Sequence, residues 1–141
     1  MISNPLAVAP STTLLELITA VLGSNQTTAS VVDGGRLVGM VSVEDVFRRL
    51  LPHYVGMTDS LVHALHESYF EEVFARFQHT TVDTVMTREI DAIAPDEPLM
   101  QAVARFVQKA RKTLPVIENG RFIGVVTRRS VLAAATHLAG A

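Results

Sequence analysis

Cysteine is absent from all 141 residues. That excludes disulfides, thiolate metal sites and thiol nucleophiles, and it leaves the redox compartment open. An overall basic field is also missing: the formal net charge is −2, so no nucleic-acid partner is expected. No apolar run approaches the length needed to cross a bilayer. Residues 1–10 lack a basic stretch followed by a long apolar one. No secretory signal or membrane partner is therefore expected, and cytoplasm is the expected location.

What is present suits one domain, or two half-size units sharing a core. Hydrophobic residues make up 48% of the chain. The charge is unevenly shared. Residues 1–80 carry 4 Lys/Arg and 8 Asp/Glu, which is −4; residues 81–141 carry 8 and 6, which is +2. The local excess lies in Lys109, Arg111, Lys112, Arg121, Arg128 and Arg129. It suits either a small anionic ligand or a solvated face.

The chain repeats itself. Shifted by 85, residues 6–47 lie on 91–132 without a gap. Ala7, Ala9, Pro10, Leu14, Thr28, Val31, Gly35, Arg36, Gly39, Val41 and Val46 fall on identical residues, and most other pairs are apolar on apolar. One small α/β unit is used twice. Each copy opens with a short extended piece (6–9, 91–94) ended by proline. Ser11 or Asp96 is expected to cap the following helix, with Pro98 in its first turn. Leu14, Leu17, Ile18, Val21 and Leu22 give one amphipathic stripe, with Gly23 as its stop, and Leu99, Val103, Phe106 and Val107 give the other. A hairpin follows, turning at Gly34-Gly35 or Asn119-Gly120. Gly39 and Gly124, inside strands, mark a bulge or a close backbone approach. A second helix starts at Ser42 or Thr127 and runs through Leu50 or His137. The fold class is α/β (α+β): two βαββα repeats packed as one pseudo-symmetric module. Residues 1–52 form the first repeat, 53–81 an insertion and 82–141 the second repeat. Within the insertion, Leu61, Leu65, Phe70, Val73, Phe74 and Phe77 predict an amphipathic helix over 60–77 that needs the repeat core or another subunit as partner.

The ordered set Val82–Thr87, Ile93–Leu99, Leu114–Gly120 and Phe122–Thr127, with Ala29–Gly35 and Leu37–Asp45 in the first copy, resembles a pair of cystathionine-β-synthase-type (CBS) domains. The first repeat has no counterpart of Val82–Met86, because Met1 aligns with Met86, so its N-terminal edge is short. The resemblance implies a regulatory module, often a homodimer, that binds an adenosine-containing ligand (AMP, ADP, ATP or a relative) in clefts between repeats. It further implies an unidentified regulated protein as partner, no catalysis and no required cofactor.

By resemblance, the base rests on Ala7, Val8, Ser30 and Val31 in the first copy and on Ala92, Ile93, Pro115 and Val116 in the second. Core packing also explains these positions. Ser42-Val43-Glu44-Asp45 matches the family's nucleotide signature, with Asp45 on the ribose hydroxyls and Ser42 near a phosphate. The same residues form a capping box that needs no ligand. In the second copy the signature is Thr127-Arg128-Arg129-Ser130. Serine replaces the carboxylate, and two arginines stand where they oppose the helix macrodipole unless an anion joins them. His63, His66 and Glu67 share a helical face with metal-ligand spacing, but no fourth ligand is evident. They read as solvated surface, and no metal is predicted. No nucleophile–base pair or phosphate loop has a recognisable local signature. Three functions remain: a sensor of adenosine ligands, a structural dimerisation module with vestigial clefts, and a small enzyme at which only the His63/His66 face hints; the sensor is the expected one.

Overall fold

The computed structural model describes residues 1–51, 68–138 and 140. In the first repeat, strand β1 (Ala7–Val8) leads to helix α1 (Leu14–Leu22), strands β2 (Thr28–Asp33) and β3 (Arg36–Ser42), and helix α2 (Val43–Leu50). Helix α3 (Tyr69–Phe77) and a 3₁₀ turn (Val82–Thr84) follow. The second repeat contributes α4 (Leu99–Gln108), β4 (Thr113–Glu118), β5 (Arg121–Thr127) and α5 (Arg128–Leu138).

The 85-residue shift is carried into the hydrogen-bond register. Thr28 pairs with Ser42 and Thr113 with Thr127; Val31 pairs with Gly39 and Val116 with Gly124. Both hairpins carry a bulge at the same place, after Val31 and after Val116. The turns have the positive φ that their sequences predict: 59° and 83° at Gly34 and Gly35, 54° and 79° at Asn119 and Gly120. The expected extended piece differs between copies. In the first, β1 runs parallel to β2 and the Leu6 carbonyl accepts from Ser30 N–H at 2.7 Å. In the second only the Ile93–Val116 bridge remains. The equivalent of Ser30 is Pro115, which has no N–H to give, and the Ala92 carbonyl is taken by the Arg105 guanidinium at 2.6 Å.

The caps correct two expectations. Helix α1 is capped by Thr13, not Ser11. Thr13 Oγ1 accepts from Glu16 N–H and Glu16 Oε1 accepts from Thr13 N–H. Pro98, not Asp96, stands at the N-cap of α4, which has no side-chain cap. Gly23 ends α1 as expected. The second-repeat helix runs to Leu138, one residue past the expected end.

Each repeat has its own core: Leu14, Leu17, Val31, Val41 and Val46 in the first, and Ile93, Ala102, Leu114, Val116, Val126 and Val131 in the second. The segments before the first strands cross over. Val82 and Met86 bury themselves in the first core, and Met1 packs on the second. Thr87 and Met40 exchange two backbone hydrogen bonds at 2.8 and 3.0 Å, as do Ser3 and Val125 at 2.7 and 3.1 Å. The glycines admit these crossings. A Cβ at Gly39 would lie 2.6 Å from Met86 Sδ, and one at Gly124 would lie 2.5 Å from Ile2. Helix α3 covers α2: Val73 joins the first core and the Phe70 ring sits 6.1 Å from that of Phe47. The repeat core is thus a partner of this aromatic face. The remainder of the expected inserted helix, with Leu61, Leu65, His63, His66 and Glu67, lies outside the described residues.

Candidate ligand clefts between the repeats

The crossing builds two related clefts. Each is walled by the start of one repeat's second helix and by the loop that precedes the other repeat's first hairpin strand. The first, about 260 Å³, sets Ser42, Glu44 and Asp45 against Ala110–Thr113 and Pro115, with Thr87, Glu89 and Asp91 also in its lining. The second, about 630 Å³, sets Thr127–Ser130 against Asn25–Thr27, with Ser3, Lys112 and Thr113 beside them. Asn25–Thr27 and Ala110–Lys112 are repeat equivalents, 85 residues apart.

Both helix starts are capping boxes. Ser42 N–H donates to Asp45 Oδ2 at 2.8 Å, and Asp45 N–H donates to Ser42 Oγ at 3.2 Å. Thr127 N–H donates to Ser130 Oγ at 2.8 Å, and Ser130 N–H donates to Thr127 Oγ1 at 3.1 Å. Serine therefore replaces the carboxylate as a cap without loss of the motif, but it offers no charge to a ligand. One difference lies in the backbone. Val43 N–H is closed by the Thr27 carbonyl at 3.0 Å. No equivalent bond runs from Arg128 N–H to Lys112.

The electrostatics of the two clefts diverge more sharply. The first is lined by four carboxylates (Glu44, Asp45, Glu89, Asp91) and three cations (Arg48, Arg111, Lys112). Those cations are already engaged. Arg48 meets Asp45 at 3.2 Å, Lys112 meets Glu44, and Arg111 Nε stands 3.4 Å from Asp91 Oδ2. Asp91 also receives Arg105 at 3.1 Å and Lys109 at 3.9 Å. Arg111 Nε and Asp91 Oδ2 are buried without hydrogen-bonding geometry, so their contact is an ion pair only. Lys112, by hydrogen bond and charge, holds the Glu44 carboxyl below its usual range, against the opposing effect of partial burial. The second cleft has Arg128, Arg129 and Lys112 and no carboxylate in its lining. Among the described residues neither arginine has an ion-pair partner. Of the six residues in the basic excess, Lys109, Arg111 and Lys112 are thus committed to carboxylates.

The structure brings Ser42, Asp45 and Pro115 to the first cleft, and Thr127, Arg128, Arg129 and Ser130 to the second. The other base positions line neither. Ser30, Val31, Ile93 and Val116 are buried in the sheets, Val8 and Ala92 are half-buried, and Ala7 is exposed. Sequence reasoning missed Asn25–Thr27, Glu89 and Asp91 as wall residues. For Asn25–Thr27 the signal was available, since they are the repeat equivalents of Ala110–Lys112. Among the described residues no group of acidic or histidine side chains is placed to hold a metal, and no helix is long and apolar enough to cross a membrane.

The model of the family described as CBS domain matches residues 1–52 and 82–137, one match to each repeat. The uncharacterized protein MJ1426 of Methanocaldococcus jannaschii is 30% identical over 112 residues, covering 71% of this chain and 67% of its own. The CBS domain of a CBS-domain-containing membrane protein from Sphaerobacter thermophilus is 26% identical, with a TM-score of 0.67 over 93% of this chain and 82% of its own. CBSX2, solved in complex with AMP, is 22% identical, with a TM-score of 0.73 over 96% of this chain and 90% of its own.

Proposed function

Because the chain belongs to the CBS-domain family, with the domain matched once in each repeat, we propose that it is a regulatory module that binds an adenosine-containing ligand between its repeats. The observation that carries this reading is the second cleft. Among the described residues, two arginines without an ion-pair partner and a backbone amide without an acceptor stand at the start of α5, in a space of about 630 Å³ with no carboxylate in its lining. Unpaired cations in a helix's first turn oppose its macrodipole, and a phosphate there reverses the sign of that interaction. Arg is well suited to hold phosphate in a fork. The AMP bound to CBSX2 supports adenosine as the ligand class. In this reading Thr127, Arg128 and Arg129 hold the phosphate tail. Asp45, in the adjoining first cleft that shares Lys112 and Thr113 with the second, is the better ribose acceptor, since Ser130 has no charge to offer. The module passes its state to an unidentified regulated protein and carries out no catalytic step.

A second reading, a structural dimerisation module with vestigial clefts, is favoured by the first cleft. There Asp45 already serves Ser42 N–H and Arg48, and every cation has its carboxylate. Calorimetry with adenosine, AMP, ADP and ATP separates the two. The sensor reading expects affinity to rise along the series and to fall with added salt. Arg128→Ala with Arg129→Ala should flatten the rise and spare adenosine. Equal affinity along the series in the unmutated protein returns the arginines to the solvated surface. Failure of every member to bind leaves the dimerisation module.

A further inference from the structure

Among the described residues, Lys112 is the one charged residue that lines both clefts. It precedes β4, and its ammonium meets the Glu44 carboxylate across the repeat boundary, at the start of α2. The partners are 44% and 46% exposed, so the pair is weakly held and can exchange. The related position at the second cleft is built differently. Glu44 becomes Arg129 and Lys112 becomes Thr27, so no ion pair ties the repeats there. An anion entering the second cleft beside Arg128 and Arg129 therefore offers Lys112 a more negative partner than a single, half-hydrated carboxylate. The four-carbon stem of lysine lets its ammonium move between them without a change of backbone.

We propose that Lys112 is a shared phosphate-binding residue held in reserve by Glu44, so that Glu44 sets how strongly the second cleft prefers phosphorylated ligands. This deepens the reading of that cleft as a phosphate site and rests on it. Glu44 acts only through Lys112 and is a positioning residue. When a phosphate takes Lys112, the tie between α2 and β4 is released and the Glu44 carboxylate is left free at the mouth of the first cleft. Occupancy of the second cleft is thereby felt at the first.

The test compares ADP, adenosine and inorganic pyrophosphate by calorimetry on unmutated protein, Glu44→Gln, Lys112→Met and the double variant. All are checked for an unchanged circular dichroism spectrum. Releasing an exposed ion pair should tighten ADP and pyrophosphate by about two- to fivefold in Glu44→Gln. Adenosine should be unaffected. Lys112→Met should weaken both anions, and the double variant should match it. If ADP binds but Glu44→Gln leaves it unchanged, or tightens adenosine equally, the role of Glu44 is refuted and the phosphate site stands. If pyrophosphate responds as described while adenosine does not bind and ADP binds no more tightly than pyrophosphate, the reserve lysine stands and the adenosine reading falls. If no anion binds any variant, both fall.

Discussion

Gly39→Ala probes the crossing on which both clefts depend. Gly39 lies in β3 opposite Val31, at the bulge. A Cβ added there would stand 2.6 Å from Met86 Sδ and 2.9 Å from the Thr87 carbonyl oxygen. Neither neighbour moves freely. Met86 is buried in the first core, and Thr87 is held by two hydrogen bonds to Met40. Overpacking of this kind costs about 1–3 kcal/mol. The stiffer unfolded chain returns about 0.4–1 kcal/mol. The net loss is about 1–2 kcal/mol, or about 3–8 °C in Tm for a chain of this size. Gly23→Ala is the control. Its added Cβ meets only carbonyl oxygens at 3.6 and 3.7 Å, and its φ of −87° suits alanine. That variant should melt at or slightly above the unmutated temperature. The assay is thermal unfolding followed by circular dichroism, with urea titration to check that the slope is unchanged. Gly39→Ala melting no lower than Gly23→Ala would refute the argument, because the chain would then accommodate a methyl group where the geometry leaves it no room.

Three further outcomes follow from named residues. Asp45→Ala should weaken adenosine-ligand binding at least about tenfold by loss of a charged acceptor, whereas Ser130→Ala should change it little; equal effects by calorimetry on folded protein would overturn the ribose assignment. The Glu44 carboxyl is held below its usual range by Lys112, so their pair adds stability at neutral pH that is lost as pH falls through that lowered value. Because both partners are nearly half exposed, the contribution is under about 1 kcal/mol, and Glu44→Gln should make urea stability slightly less steep in pH on the acid side; a steeper dependence contradicts the pairing. We also predict a homodimer, since Met100, Leu132 and Leu138 remain 65–76% exposed on the second repeat, whereas Phe47, the equivalent of Leu132, is 50% exposed with the Phe70 ring of α3 6.1 Å away. A monomer mass by light scattering at tens of micromolar counts against it.

The fold was legible where the chain states it twice. The repeat offset predicts the strand pairing, the bulges and the turn glycines, because each follows from local chemistry that both copies share. The departures have local causes too. Pro115 shortens the second copy's first strand by removing one donor. The cap of α1 was visible as Thr13-Leu14-Leu15-Glu16, a capping box two residues on from the serine that proline drew attention to. What the offset does not state is which copy a connecting segment joins. Val82 and Met86 precede the second repeat in sequence yet bury themselves in the first, because the crossing at Gly39 gives Thr87 a ladder partner and Met86 a core.

The same distinction governs the candidate site. Ser42, Asp45, Thr127 and Ser130 were legible because a helix start is a local motif, and each does stand at a cleft. Which residues face them across the cleft was not legible, even though the offset pairs Asn25–Thr27 with Ala110–Lys112, because those residues come from the other repeat: Glu44 and Lys112 are 68 residues apart. Charge counts alone make residues 81–141 basic, but they do not say which cations are already neutralised. Asp91, from that same half, gathers Arg105, Lys109 and Arg111. Glu44, from the other half, holds Lys112. What remains of the six is Arg121, which lines neither cleft, and Arg128 and Arg129 at the second cleft, with Lys112 beside them. The duplicated unit thus supplies two similar cavities, and a few substitutions divide their chemistry: Asp45 against Ser130, Glu44 against Arg129 and Thr27 against Lys112. One cavity pairs its cations with its own carboxylates, and the other keeps its positive charge for an anion.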